Sequence, residues 1–208
     1  MSKILVTGSE GVVGKSLCRI LRSRGHDVFG IDLMHKPGEV GFEHEMAQTQ
    51  WNYARCDVAD YRQLERIFEV DTFDFVYHAA AEFGRWNGED FYEQVWRTNA
   101  IGTKNILKLQ EWHNFKLIFF SSSEVYGDYQ DVMSEDVMAI KPIRQMNDYA
   151  MSKWVNETQI RNSIIEHETK TVIVRLFNTY GPGETYHPYR SVNAKFCYHA
   201  LHGIPITV

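Results

Sequence analysis

The segment K-I-L-V-T-G-S-E-G-V-V-G, residues 3–14, constrains the fold more than any other part of the chain. Ile4, Leu5 and Val6 form a short unbroken apolar run, the pattern of a strand buried on both faces. Three glycines follow at Gly8, Gly11 and Gly14, and a helical period then continues through about Ser23. A strand covered on both faces needs helices above and below its sheet, so the remaining chain should alternate between the two. Further strands are expected at residues 27–32, 53–56, 74–79, 116–121 and 171–176. Helices are expected at 61–70, 90–112 and 147–167, the second with Ile101, Asn105 and Leu109 down one stripe. Residues 34–50, with Pro37, Gly38 and Gly41, and the polar stretch from the fifth strand to Arg144 read as loops. The predicted fold class is α/β, a doubly wound parallel sheet built from right-handed βαβ units.

The end of the chain departs from this rhythm. After Arg175 come a Gly-Pro-Gly turn at 181–183, a helical segment near 191–201, and residues 204–208, which read as entering a strand. The expected division is a dinucleotide-binding domain at 1–175 and the beginning of a smaller C-terminal substrate domain at 176–208. The second domain is expected to be truncated, making the chain a fragment that binds its cofactor far better than it turns over.

Composition removes several classes of function. Lys plus Arg number 22 against 27 Asp plus Glu, a net charge of −5, which argues against a broad phosphate-neutralising surface and hence against nucleic acid. Cys18, Cys56 and Cys197 are scattered and form no C-x-x-C pair, so neither zinc nor a disulfide framework is expected. No metal is predicted. No apolar run approaches a membrane span and no signal peptide is evident at Met1, so a cytoplasmic location is expected.

The glycine spacing carries chemistry in its context. Gly8 permits a tight turn, Gly11 lets backbone approach a pyrophosphate, and Gly14 lets the helix pack close to the sheet. The helix start, Val12 and Val13 included, then offers free N–H groups to phosphate. Asp32 ends the second strand 18 residues beyond Gly14, where a carboxylate can hold both ribose hydroxyls of NAD. Its charge would repel a 2′-phosphate, so NAD is favoured over NADP.

Tyr149 and Lys153, in Y-A-M-S-K, stand four apart and share one helix face. Their helix follows the strand that ends in Ser121, Ser122, Ser123 and Glu124. In a doubly wound sheet, ligands lie beyond the carboxyl ends of the strands, which places both groups at one crevice.

Six motifs occur in order: T-G-S-E-G-V-V-G, H-A-A-A at 78–81, T-N-A-I-G-T at 98–103, S-S-S-E-V-Y-G at 121–127, Y-A-M-S-K, and R-L-F-N-T-Y-G-P-G at 175–183. Together they resemble the extended short-chain dehydrogenase/reductase family, more narrowly its nucleotide-sugar epimerases, dehydratases and decarboxylases. The resemblance implies a Rossmann domain, NAD as cofactor, a nucleotide-sugar substrate, and a reaction through a transient 4-keto sugar. It implies that Tyr149, with its pKa lowered by Lys153 and the nicotinamide charge, takes the proton of a sugar 4-hydroxyl. Ser122 would hydrogen-bond that oxygen, and Lys153 would also reach the nicotinamide ribose. Asp57 and Val58 match the adenine contact, Ala79, Ala80 and Ala81 the phosphate lining, and Asn99 the buried support of the catalytic helix. Ser123, Arg85, Asn178 and Arg190 are the substrate-side candidates. A homodimer is implied, through the helices at 90–112 and 147–167, with Trp96, Trp112 and Trp154 as candidate anchors.

Glu124 discriminates among members. A 4-epimerase needs no extra base, whereas a carboxylate here can take the C5 proton once C4 is a ketone. That points first to a sugar-nucleotide 4,6-dehydratase. The alternatives are a nucleotide-glucuronate decarboxylase, then a 4-epimerase or 4-ketosugar reductase, and outside catalysis an NAD-binding regulatory protein. One departure stands out: Ser123 occupies the place where the dTDP-glucose dehydratases typically carry an Asp.

Overall fold

Alternation within the first strand decides how the layers assemble. In the computed structural model, β1 (Lys3–Thr7) sends Leu5 to one face of the sheet and Ile4 and Val6 to the other. The Leu5 face packs with Ile31, Val76, Leu117 and Phe119 against Leu64, Ile67, Ile106, Leu107 and Ile160. The opposite face packs Ile4, Val6 and Val28 against Cys18 and Leu21. Each fully buried aliphatic side chain contributes about 1.5–3 kcal/mol. The structure describes residues 1–34, 52–181, 183–184, 186–187 and 192–206.

The strands β1, β2 (Asp27–Asp32), β3 (Tyr53–Arg55), β4 (Phe75–His78), β5 (Lys116–Ser122) and β6 (Thr171–Leu176) form one sheet in the order β3-β2-β1-β4-β5-β6. Every neighbouring pair is parallel, with Thr7 opposite both Ile31 and His78 and Ser122 opposite Leu176. The carboxyl ends therefore share one edge, and the strand order reverses between β1 and β4. Helix α1 (Val12–Ser23) covers one face, while α2 (Tyr61–Val70), α5 (Gly102–His113) and α7 (Asp148–His167) supply side chains to the other. Between β4 and α5 lie α3 (Arg85–Asp90), α4 (Tyr92–Val95) and a π-helical turn (Trp96–Ile101). Two shorter pieces, a 3₁₀ turn (Ser123–Tyr126) and α6 (Val137–Ile140), follow β5, and α8 (Val192–Leu201) follows β6.

Three expectations need correction. The helix expected at 90–112 begins earlier, at Arg85, and is broken at Phe91, whose backbone leaves the helical region at φ −129° and ψ 48°. Arg85 accordingly opens a helix and does not sit in a loop. The π turn then inserts an extra residue, which rotates the apolar stripe by about 100°. Ile101 is consequently 51% exposed, and Gly102, Thr103, Ile106 and Leu107 face inward in its stead. The stretch between β5 and Arg144 is not all loop, since it holds the 3₁₀ turn and α6. At the other end, residues 204–206 form no strand, and 207–208 lie outside the described residues, as do 35–50 of the loop expected at 34–50.

One buried charge ties β5, α7 and β6 together. Glu157 is fully buried, and its Oε1 accepts from Ser121 Oγ at 2.6 Å and Arg175 Nε at 2.9 Å. Its Oε2 accepts from Arg175 Nη2 at 2.8 Å and Arg161 Nη2 at 2.9 Å. Arg175 Nη1 also donates to Tyr126 Oη at 2.9 Å, drawing in the turn after β5. Removing one partner of a buried pair strands the other charge, at about 3–5 kcal/mol. Glu157→Ala should therefore lose stability of that order in urea unfolding monitored by circular dichroism. A loss below about 1 kcal/mol would show that the node is dispensable.

Candidate active site

The turn after β1 is shaped by what its glycines lack. Gly8 has φ +67°, and a Cβ there would lie 2.6 Å from Ala80 N. A Cβ on Gly14 would lie 2.0 Å from Gly8 O, so the helix could not approach the turn with any larger residue. Gly11 is the N-cap of α1 and supplies no side-chain cap, nor does an acidic residue stand in the first turn. The leading N–H groups at Val12, Val13 and Gly14 are thus left to an external anion. At the end of β2, Asp32 accepts from Glu10 N at 2.9 Å and from Met34 N at 3.2 Å, which fixes its carboxylate beside the glycine turn. A diphosphate at the turn and a ribose at Asp32 fit these residues.

Ala79, Ala80 and Ala81 follow β4 directly across the turn from Gly8. Their position depends on Thr7, whose Oγ1 accepts from Ala80 N at 3.1 Å and pairs with His78 Nδ1 at 2.7 Å. His78 meets Thr103 Oγ1 through Nε2 at 3.1 Å. Burial first, and the Lys153 charge second, push its pKa down to about 3, so the ring is neutral. Asp57 and Val58 stand just after β3. Asp57 accepts from Ala59 N at 2.9 Å and pairs with Arg97 Nη2 at 2.8 Å, while Gly102 packs directly on Val58.

Ser122, Glu124, Tyr149 and Lys153 are brought together at the end of β5. Ser122 Oγ accepts from Glu124 N at 3.2 Å, and the Ser122 hydroxyl acts on the Tyr149 phenol, favouring its ionised form. Lys153 donates from Nζ to Phe120 O at 2.8 Å, with Nζ 5.9 Å from the Tyr149 ring centroid and only 4% of the residue exposed. Glu124 does not turn back on nearby backbone; its Oε2 accepts from Asn147 Nδ2 at 2.9 Å. Ser123, in the 3₁₀ turn, is half-buried beside it.

The electrostatics correct one expectation. Burial pushes the Tyr149 phenol up to about 12; the Ser122 hydrogen bond opposes this and the Glu124 charge adds to it. The expected lowering of Tyr149 by Lys153 does not prevail, and burial brings Lys153 itself down to about 8. In the protein alone, desolvation outweighs the attraction between the two.

Asn99 lies inside the π turn, where its Nδ2 donates to Glu82 O at 3.0 Å and Ser152 Oγ at 2.9 Å and its Oδ1 accepts from Glu82 N at 2.9 Å. It braces the chain after β4 against α7 and has no donor to spare. The substrate-side candidates are spread out. Arg85 pairs with Glu89 one turn on at 3.2 Å and lies over Trp86. Asn178 is exposed just past β6, and Arg190 lies outside the described residues. Two residues missed in the sequence contribute: Asn147, legible only as a helix cap, and Gly88, where a Cβ would lie 3.2 Å from Tyr149 N.

A doubly wound sheet with a glycine turn at its switch point, an acid ending β2 and a Tyr–Lys pair on one helix defines an NAD-linked short-chain fold. The NAD dependent epimerase/dehydratase family matches residues 4–208, and the chain belongs to that family. It is 32% identical to the UDP-N-acetyl-alpha-D-glucosaminuronate decarboxylase of Bacillus cytotoxicus over 99% of this chain and 63% of that protein. It is 28% identical to the dTDP-glucose 4,6-dehydratase of Neisseria meningitidis serogroup B over 100% of this chain and 61% of that protein. Among solved structures, the complex of the Thermus thermophilus UDP-glucose 4-epimerase with NAD superposes with a TM-score of 0.83 at 26% identity, over 99% of this chain and 65% of that one. The chain thus spans about three-fifths of the length of these curated relatives. NAD is the family cofactor, and the glycine turn and Asp32 suit it. No helix among the described residues is long and apolar enough to cross a membrane, and no cluster of metal ligands occurs among them.

The Lys153 ammonium binds fewer protons folded than unfolded between its folded pKa of about 8 and its ordinary value of 10.5. Its contribution to stability must therefore rise with pH across that window. Lys153→Met should remove this rise from a plot of unfolding free energy against pH. An unchanged slope would show that Lys153 is not held in a desolvated site.

Proposed function

We propose that the chain carries the NAD-binding and catalytic part of an enzyme acting on a nucleotide-activated hexose through a 4-keto sugar, and that the reaction is 4,6-dehydration. The observation that supports this is the Glu124 carboxylate: one oxygen is held by Asn147, and the other takes no hydrogen bond among the described residues, beside Ser122 and Tyr149. When bound, NAD supplies a hydride acceptor for C4 and a positive charge that counters the burial at Tyr149. The glycine turn, Ala79–Ala81, Asp32, Asp57 and Val58 hold it. Ser122 donates to the sugar 4-oxygen while Tyr149 takes its proton. With C4 a ketone, the C5–H bond is acidic, and Glu124 takes that proton. The pair of electrons forms the C5–C6 double bond, the C6–O bond breaks, and the hydroxide leaves with a proton as water. Protonated Glu124 is the donor for that step, because Ser123 is no acid. The hydride removed from C4 would then be returned to C6 as a proton from solvent reaches C5, so that the cofactor ends oxidised as it began.

The same feature favours a second reading, decarboxylation of a nucleotide glucuronate. There the 4-ketone takes up the electrons of the breaking C5–C6 bond as carbon dioxide leaves, and no acid is needed at 123. Glu124 protonated from solvent gives a proton to C5, and the hydride removed from C4 would be returned to C4. The Bacillus cytotoxicus relative carries such a name. Arg85, Asn178 and Arg190 are proposed to meet the substrate, with Ser123 at the sugar. The proposed domain division falls at Arg175, and residues 176–208 begin the substrate side. Trp112 and Ile165, 76% and 78% exposed on α5 and α7, are proposed to meet a second copy of the chain, while Trp96 and Trp154 serve internal packing.

Mass spectrometry of products from a panel of nucleotide hexoses and nucleotide glucuronates distinguishes the outcomes. Loss of water supports dehydration, loss of carbon dioxide supports the second reading, and an unchanged mass in every case contradicts both. Glu124→Gln should keep NAD affinity within about twofold yet abolish exchange of the C5 proton with deuterated water. Retained exchange would remove Glu124 from its assigned role.

A further inference from the structure

We propose that Asn147 is the positioning residue that couples Glu124 to Tyr149, its two amide ends serving two different elements. This deepens the reading of Glu124 above and rests on it. Asn147 is the N-cap of α7, with Oδ1 accepting from Ala150 N at 2.8 Å, so it sets where the helix carrying Tyr149 and Lys153 begins. Its Nδ2 donates to Glu124 Oε2 at 2.9 Å, across 23 residues of sequence. Capping alone does not require asparagine, since Ser and Asp cap about equally well. Asparagine combines the capping acceptor with a donor at the far end of the same rigid amide. The residue is 8% exposed, so water competes little for either bond.

The turn that Asn147 caps is fixed from its other side. Trp96 Nε1 donates to Asp148 Oδ1 at 2.8 Å, and Gly88 lets α3 close onto the Tyr149 backbone. Ser122 holds Glu124 from the other side, accepting from its backbone N–H, and its hydroxyl favours ionisation of Tyr149. Glu124 is thereby held between Ser122 and the start of the helix that carries Tyr149 without help from a ligand. Oε2 of Glu124 faces a donor that cannot accept a proton, so a proton gained by Glu124 must sit on Oε1. The amide cannot pass that proton on. It stays with Glu124 until returned to the sugar or given to a leaving group.

Two readouts on the full chain test this. In nitrogen-15 spectra, the Asn147 side-chain amide, assigned by its loss in Asn147→Ser, should shift in Glu124→Ala; an unmoved resonance overturns the coupling. Asn147→Ser keeps a capping acceptor, so melting temperature and NAD affinity should stay near wild type. Its kcat for C5 proton exchange, with UDP-glucuronate or dTDP-glucose as probe, should fall tenfold or more at an unchanged KM. Asn147→Asp, which caps but cannot donate, should fall at least as far. Wild-type exchange in either variant overturns the positioning role. If the wild type shows the amide coupling yet exchanges no C5 proton with either probe, the 4-keto reading fails, while the link between Asn147 and Glu124 stands on the resonance.

Discussion

The buried carboxylate of Glu157 is the contact on which the site depends. Four donors from Ser121, Arg161 and Arg175 converge on it, and they belong to β5, α7 and β6. A charge without water is tolerable only when saturated in this way. The consequence runs back along the helix. Lys153 stands one turn before Glu157 and binds Phe120 O, and Tyr149 stands a further turn back beside Ser122. Residues 149, 153 and 157 repeat at the four-residue interval that keeps one helix face on one strand end. Glu157 thus fixes the register in which the Tyr–Lys pair meets β5.

Within that register burial moves the ionisable groups toward their neutral forms, leaving the Tyr149 phenol and the His78 ring uncharged near neutral pH and Lys153 easier to deprotonate. Burial drives Tyr149 up to about 12, Lys153 down to about 8 and His78 down to about 3. Glu124 is the carboxylate of this cluster, and its charge opposes ionisation of Tyr149. A bound nicotinamide, being positive, has the sign needed to reverse that balance. The arrangement makes ionisation of the Tyr149 phenol conditional on the cofactor's presence, which suits the proposed use of NAD without net oxidation.

Much of this was legible from local pattern. The buried run at Ile4, Leu5 and Val6, the spacing of Gly8, Gly11 and Gly14, and Asp32 at a strand end are short-range signals, and the sheet follows them strand for strand. Tyr149 and Lys153 were legible as one helix face. The break at Phe91 and the π turn were not, because they answer to Asn99 bonding Ser152 on a helix 53 residues away. Glu157 and Arg175 stand 18 residues apart, and nothing local in the sequence pairs them before the fold puts them side by side. Asn147 shows the same division: its cap is written in the neighbouring residues, and its bond to Glu124 is not. The Tyr149 expectation counted the charges of Lys153 and a bound nicotinamide but not burial, which sequence does not display and which prevails in the protein alone.

In the proposed reaction the hydrogen leaves sugar C4 while Tyr149 takes the hydroxyl proton. The most direct measurement compares a nucleotide sugar carrying deuterium at C4 with its unlabelled form, following the near-ultraviolet absorbance of reduced nicotinamide in a single turnover. Bound NAD should be transiently reduced, more slowly with the deuterated sugar and not at all in Tyr149→Phe. Product formed with no isotope effect and undiminished in Tyr149→Phe would contradict it.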